Sequence, residues 1–173
     1  MPLDMDLVKI IREETWAIIE RYMPEKLRPT LGITQIDIDY IFEKSYTTSL
    51  EDLIAVFDRN PSMEKGVGIG VETYLPIKAV MSYRIANSIY YYIDEDDDDF
   101  DNYIRELMIQ KAERISETSK KETGIFIHPA AIINKKFVIE YGTYTVIETD
   151  FVLIGTYYCI CSIVKFKIRQ PNL

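Results

Sequence analysis

A six-residue spacing of apolar residues late in the sequence constrains the fold more than any other feature. The residues that follow this spacing are Ile127, Ile133 and Ile139, and then Ile147 and Leu153. After residue 123, β-branched and aromatic residues increase and helical spacing disappears. A six-residue apolar period is typical of a parallel β-helix made of hexapeptides, in which each flat face buries one apolar side chain. The repeat provides about one to two coils of such a structure.

Helical spacing dominates the sequence before the repeat. Apolar residues recur at three- and four-residue steps, which predicts a helix in each of three segments, 6–22, 74–93 and 100–119. Thr34 can cap a further segment, whose start also alternates as in a strand. Ser49 and Asp52 resemble a capping box that opens a separate short helix. The predicted chain is α+β, with a helical domain over 1–123 and a β-helix segment over 124–173.

Composition excludes several classes of protein. A chain of 173 residues with 47% apolar and 28% charged residues is typical of one globular domain. Its formal net charge is −8, and seven carboxylates lie within residues 94–101 alone. This balance disfavours a nucleic acid or a membrane surface as partner. The N-terminus lacks the features of a signal peptide and no apolar run is long enough to span a membrane, so we expect a cytoplasmic protein.

The sequence offers few metal ligands. It contains one histidine and two cysteines, and the C-x-C spacing of Cys159 and Cys161 fits neither a disulfide framework nor a zinc site. We expect both cysteines to be small core residues. The acidic run 94–101 resembles a calcium-binding loop, but Phe100 stands where such a loop needs glycine. A solvated loop between helices is the simpler interpretation, and we expect no bound metal.

Four blocks in order resemble the serine O-acetyltransferases, and together they cover about residues 55–150. Residues 58–61 are similar to that family's Asp-Pro loop, and 82–86 are similar to its Tyr-Arg-Ile-Ala-His helix. Residues 114–131 resemble the junction between the helical domain and the left-handed β-helix. Residues 139–149 resemble the active-site segment. Because all four blocks occur in the family's order, they identify the family far more specifically than any one of them alone.

The resemblance implies an activity. Members of the family transfer an acetyl group from acetyl-CoA to the hydroxyl of L-serine, the committed step of cysteine biosynthesis. A histidine accepts the serine proton, an aspartate on the adjacent coil orients that histidine, and other carboxylates hold the substrate amine. The resemblance thus implies a left-handed β-helix and an oligomeric acyltransferase, with acetyl-CoA as co-substrate and no tightly bound cofactor.

The residues that would carry this chemistry are largely replaced. By resemblance, the position of the orienting aspartate is Phe126 and the position of the catalytic histidine is Tyr141. Two carboxylate positions near the substrate are Asn60 and Glu140, and His128 belongs to the Ile-His-Pro turn that shapes the site. Asn60, His128 and Glu140 are therefore the candidate substrate-binding residues, and no catalytic residue is identified.

Two functions follow as hypotheses. The family continues for several more coils, which carry a second active-site histidine and the coenzyme A groove, whereas this sequence ends at Leu173. The family's helix histidine is also replaced, by Asn87. We expect a truncated β-helix in a serine O-acetyltransferase-like protein that is weakly active or inactive. The alternative is a non-catalytic assembly or regulatory partner of a full-length acetyltransferase paralogue or of cysteine synthase, and either function implies a homo-oligomer or a hetero-oligomer.

Overall fold

Within the described residues, four α-helices precede residue 124. The computed structural model describes residues 5–59, 74–92, 102–140, 144–149, 152–153, 158–160 and 165–166. The helices are α1 (Met5–Tyr22), α2 (Gln35–Arg59), α3 (Leu75–Tyr90) and α4 (Asn102–Thr123), and a short 3-10 helix covers Pro29–Leu31. The three helices predicted from apolar spacing are confirmed. Among the helices described, none is long and apolar enough to cross a membrane.

Helix α2 is continuous over 25 residues. It begins at the predicted cap, where the hydroxyl and the backbone N–H of Thr34 donate to Oδ2 of Asp37 at 2.7 and 2.6 Å. The separate short helix predicted from Ser49 and Asp52 is wrong, because both residues are buried within α2. A Ser-x-x-Asp pattern caps a helix only where the chain enters one, and here Asp52 instead makes a long-range ion pair.

Seven short strands follow α4 in the described part of the chain, and their pairings are parallel. They are β1 (Phe126–Ile127), β2 (Ile132–Ile133), β3 (Phe137–Ile139), β4 (Val146–Ile147), β5 (Val152–Leu153), β6 (Tyr158–Ile160) and β7 (Lys165–Phe166). The sheets are β1-β4-β7, β2-β5 and β3-β6. Phe126 is level with Val146, and Ile132 with Val152, so the chain returns to the same sheet after about twenty residues. The predicted order of helices followed by parallel strands is confirmed.

The six-residue repeat supplies the core of the strand region. Each of its isoleucines is at most 6% exposed: Ile127, Ile133, Ile139 and Ile147. They form one apolar cluster with Ala79, Val80 and Tyr83 of α3. The predicted burial of these isoleucines is confirmed, and the first strands pack directly on α3.

A buried ion pair connects the helices to the strands. Arg84 of α3 donates from Nε and Nη2 to the carboxylate of Asp52 of α2 at 2.7 and 3.1 Å. Arg84 also donates to the carbonyls of Ile133 and Asn134 at 2.6 and 2.8 Å. Asp52 in turn accepts the backbone N–H of Phe137 at 2.9 Å. Burial raises the pKa of the Asp52 carboxyl, whereas Arg84 and the Phe137 N–H act in the opposite direction.

Asp52→Asn removes the charged partner of Arg84 with little change in shape. We expect the free energy of unfolding to fall by about 3–5 kcal/mol, because a buried charge without its partner is strongly destabilising. Urea denaturation followed by circular dichroism measures this loss.

Glu51→Gln is the matched control for that substitution. Glu51 precedes Asp52 in α2 and pairs at 2.8 Å with Lys135, whose side chain is exposed. An ion pair near solvent contributes little to stability, so we expect the free energy of unfolding to fall by less than about 1 kcal/mol. Equal losses in the two variants would contradict the role assigned to Asp52.

The cap of α2 predicts a dependence of stability on pH. Burial raises the pKa of Asp37, but hydrogen bonds from Tyr92 and from the backbone and hydroxyl of Thr34 outweigh it, so the pKa lies below 3.8. A carboxyl with a lowered folded-state pKa stabilises the fold above its unfolded pKa, and this contribution is lost as the pH falls through the folded pKa. We expect Asp37→Asn to cost about 1 kcal/mol near neutral pH, and progressively less below about pH 4.

Unfolding free energies of wild type and Asp37→Asn across this pH range test the prediction. The Thr34→Ala variant lacks one hydrogen-bond donor to the Asp37 carboxylate. In that background, the effect of Asp37→Asn on the free energy of unfolding should depend less on pH. If the unfolding free energies of wild type and Asp37→Asn differ by the same amount from neutral to acid pH, the charged Asp37 carboxylate does not stabilise the fold.

Candidate functional site

The turn after β1 carries the single histidine of the chain. The backbone N–H of His128 donates to the carbonyl of Ile147 in β4 at 2.8 Å. The ring atom Nδ1 accepts the backbone N–H of Ala130 at 3.1 Å. A neutral imidazole whose Nδ1 is an acceptor carries its proton on Nε2. The Nδ1 atom of His128 is therefore engaged inside the turn.

Aromatic rings flank the imidazole of His128. Phe126 and Tyr90 approach it edge-on, with ring centroids at 6.2 and 6.3 Å. The ammonium group of Lys120 lies 5.1 Å from the centroid of the Phe126 ring. By resemblance this ring occupies the position of the orienting aspartate. It cannot accept a hydrogen bond as a carboxylate would, and its contacts are those of an apolar surface.

Helix α3 and Tyr91, the residue that follows it, bind the backbone of this turn. Side chains of Tyr83, Asn87 and Tyr91 all donate to backbone carbonyls of residues 129–131. Asn87 reaches two of these carbonyls at 2.8 and 3.1 Å, and the hydroxyls of Tyr83 and Tyr91 reach one each at 2.6 and 2.7 Å. Burial raises the pKa of Tyr83 to about 12, so it remains a donor at neutral pH. Asn87, at the position of the family's helix histidine, thus binds the backbone of the turn.

Glu140 lies at a different place, where the end of α2 meets the end of β3. Its Oε1 is 3.9 Å from Nη1 of Arg59, and both side chains are about one-third exposed. The hydroxyl of Tyr74 donates to the carbonyl of Ile139 at 2.7 Å and to that of Glu140 at 3.2 Å. Two of the four blocks singled out in the sequence, 58–61 and 139–149, therefore meet through Arg59 and Glu140.

Part of the predicted site lies outside the described residues. This applies to Asn60, to Tyr141, to Cys161 and to the acidic run 94–101. Among the described candidates, His128 contacts Phe126, Tyr90 and Ala130, whereas Glu140 contacts Arg59 and Tyr74. The structure thus pairs Glu140 with Arg59, and it places His128 among aromatic rings.

Sequence reasoning missed two residues of this site. Arg59 lies inside a block that the resemblance had already marked, but nothing in the sequence indicates that it pairs with Glu140. Tyr74 lies just before α3 and carried no signal beyond its aromatic character. Both contacts join residues that are more than sixty positions apart, which local patterns do not encode.

The arrangement favours binding over proton transfer. Arg59 and Glu140 offer one charge of each sign at a partly exposed edge, which suits a small zwitterion or a polar backbone. Within the described ranges, no group of three histidine, cysteine, aspartate or glutamate side chains could hold a metal ion.

Comparisons with known proteins give the following matches. No family model matches the chain. Serine acetyltransferases of Bacillus pumilus (strain SAFR-032) and Bacillus subtilis (strain 168) are 32% and 31% identical over 97 residues, which is 56% of this chain and 38% of each relative. A crystal structure of Entamoeba histolytica serine acetyltransferase 1 in complex with L-cysteine is 27% identical, with a TM-score of 0.48, and the match covers 85% of this chain and 46% of that chain.

The curated matches name the same family as the four sequence blocks. The matched stretch spans 38% of the length of these curated relatives. The predicted resemblance is confirmed over just more than half of this chain. The chain is therefore related to the serine O-acetyltransferase family.

Proposed function

We propose that the chain is a serine O-acetyltransferase-like protein in which acetyl transfer from acetyl-CoA to L-serine is weak or absent. The observation that carries this proposal is the set of contacts that the Phe126 ring makes. Its ring packs against His128 and under Lys120, at the position where the resemblance implies the orienting aspartate.

The missing carboxylate bears directly on the chemistry. Attack of a serine hydroxyl on a thioester requires a group that takes up the hydroxyl proton, and an imidazole held by a carboxylate suits this at neutral pH. By resemblance the two positions are Phe126 and Tyr141. An ordinary phenol has a pKa of about 10 and is a poor base at pH 7. Loss of a general base typically costs about 10²- to 10⁴-fold in rate.

The other described candidates do not replace this pair. His128 uses Nδ1 to accept the Ala130 N–H, which orients the ring within the turn. The carboxylate of Glu140 faces the guanidinium of Arg59. In this proposal both residues position or bind substrate, and neither acts as the base.

We further propose that the strands form the first coils of a left-handed parallel β-helix. The support is the return of the chain to each of three parallel sheets after about twenty residues. The buried isoleucines of the repeat provide the apolar interior that such a coil needs.

The proposal predicts low turnover. We expect acetyl transfer from acetyl-CoA to L-serine at a rate at least about 10²-fold below that of the Bacillus subtilis serine acetyltransferase assayed beside it, because the base and its orienting carboxylate are replaced. Release of the coenzyme A thiol measures the rate. Turnover within about tenfold of the reference would overturn the proposal.

Restoring the pair gives a second test. If Phe126 and Tyr141 are the only chemical defects, Phe126→Asp combined with Tyr141→His should raise serine-dependent thiol release by a large part of about 10²- to 10⁴-fold, since it supplies an imidazole and a carboxylate. The matched control is Phe126→Leu with Tyr141→Phe, which changes the same positions without adding a base. If both double variants stay at background, replacement of these two residues does not explain the low rate.

A second candidate function is assembly, favoured by an exposed apolar pair on the strands. Ile132 and Val152 are level on β2 and β5, and they are 49% and 44% exposed. We propose that this pair contacts a second copy of the chain or a full-length acetyltransferase paralogue. Cysteine synthase is the further partner that the resemblance suggests.

Sedimentation velocity of the purified chain tests the self-association. Because a charge in an apolar contact is costly, Ile132→Lys should shift an oligomer toward monomer, whereas Tyr144→Lys, at another exposed position, should not. A wild-type chain that stays monomeric at every concentration would exclude a second copy as the occupant.

A further inference from the structure

A partly open cavity of about 280 Å³ lies between α2, α3 and the turn after β2. Its lining includes Lys44 and Thr48 of α2, Arg84 and Asn87 of α3, and Lys135 of the turn. Arg59 and Glu140 do not line it. The cavity is therefore separate from the edge at which Glu140 lies.

Arg84 borders this cavity, and one of its N–H groups has no hydrogen-bond acceptor among the described residues. A guanidinium has five N–H groups. Two donate to Asp52, and the carbonyls of Ile133 and Asn134 accept one each. Among the described residues, no oxygen or nitrogen atom accepts the second N–H of Nη1, although Arg84 is only 5% exposed. The guanidinium carbon lies 5.1 Å from the centroid of the Tyr83 ring, which is a weaker partner than an oxygen. A buried charged donor without an acceptor is unfavourable, and a ligand oxygen in the cavity would satisfy it.

The charge balance around the cavity is positive. Arg84 is compensated by Asp52, and Lys135 by Glu51 at 2.8 Å. Lys44 lies 5.9 Å from the ring centroid of Tyr40 and meets no carboxylate in the part of the chain that the structure describes. Among the described residues, no carboxylate therefore compensates this ammonium group, whose residue lines the cavity.

We propose that this cavity binds a small molecule through a carboxylate or phosphate group. One oxygen of that group accepts the remaining Arg84 N–H, and the ammonium group of Lys44 supplies the opposing charge. The cavity is large enough for a single such group with a short substituent. Asn87 lines the cavity and also binds the turn that carries His128, but Arg84 and Lys44, which bind the ligand here, have no part in the acetyl-transfer proposal.

Titrations with two probes, inorganic phosphate and acetate, test the site. Amide signals of the full chain are followed by two-dimensional NMR, with sodium chloride at equal ionic strength as the reference. We expect saturable shifts of residues around the cavity, Thr48 and Lys135 among them. The probe that binds more tightly identifies the chemical group.

Two variants test whether binding depends on the charge of Lys44. Lys44→Met keeps the apolar stem but removes the charge, and we expect it to weaken binding about tenfold, as is typical for the loss of a charge-assisted contact. Lys26→Met removes an exposed lysine that does not line the cavity and should leave binding unchanged. The site is refuted if neither probe gives saturable shifts beyond those of sodium chloride, or if Lys44→Met binds as tightly as wild type.

Discussion

Arg84 and Asp52 meet in the interior, where each would be unstable without the other. Their side chains are 6% and 4% exposed, so water cannot replace either partner. The same two side chains also bind the backbone of residues 133, 134 and 137. The position of the first strands on the helices therefore depends on a pair formed between α2 and α3. Glu140 directly follows β3, so the position of the candidate site also depends on the contacts of Arg84 and Asp52 with the strand backbone.

The strands themselves are too short to stand alone. Each has two or three residues, so its ladder contributes few hydrogen bonds. Side chains of α3 and of the residue that follows it supply further hydrogen bonds, because Tyr83, Asn87 and Tyr91 donate to carbonyls that a longer strand would satisfy by pairing. The same donors hold the Ile-His-Pro turn. Position 87 thus has a structural use that is independent of catalysis.

Much of this architecture could be predicted from the sequence. The six-residue repeat predicted which isoleucines are buried, and apolar spacing predicted three of the helices, because both signals are local and periodic. The cap at Thr34 was predictable for the same reason. The separate helix at Ser49 was not correctly predicted, since a capping pattern and an interior ion-pairing residue use the same amino acids. The pairing of Arg59 with Glu140 and the cavity beside Lys44 depend on tertiary packing, which no single segment encodes.

The contacts of Arg84 and Asp52 join residues that are far apart in the sequence, and this affects how the chain can fold. Asp52 and Arg84 are 32 residues apart, and Asp52 meets the N–H of Phe137 across 85 residues. Both side chains precede β3 in the chain, so the backbone groups of residues 133, 134 and 137 that complete their hydrogen bonds come from a segment synthesised after them. Closing these long loops costs entropy before the contacts form. A chain halted before residue 137 would lack the N–H of Phe137, so Asp52 would be left with one hydrogen-bond donor fewer.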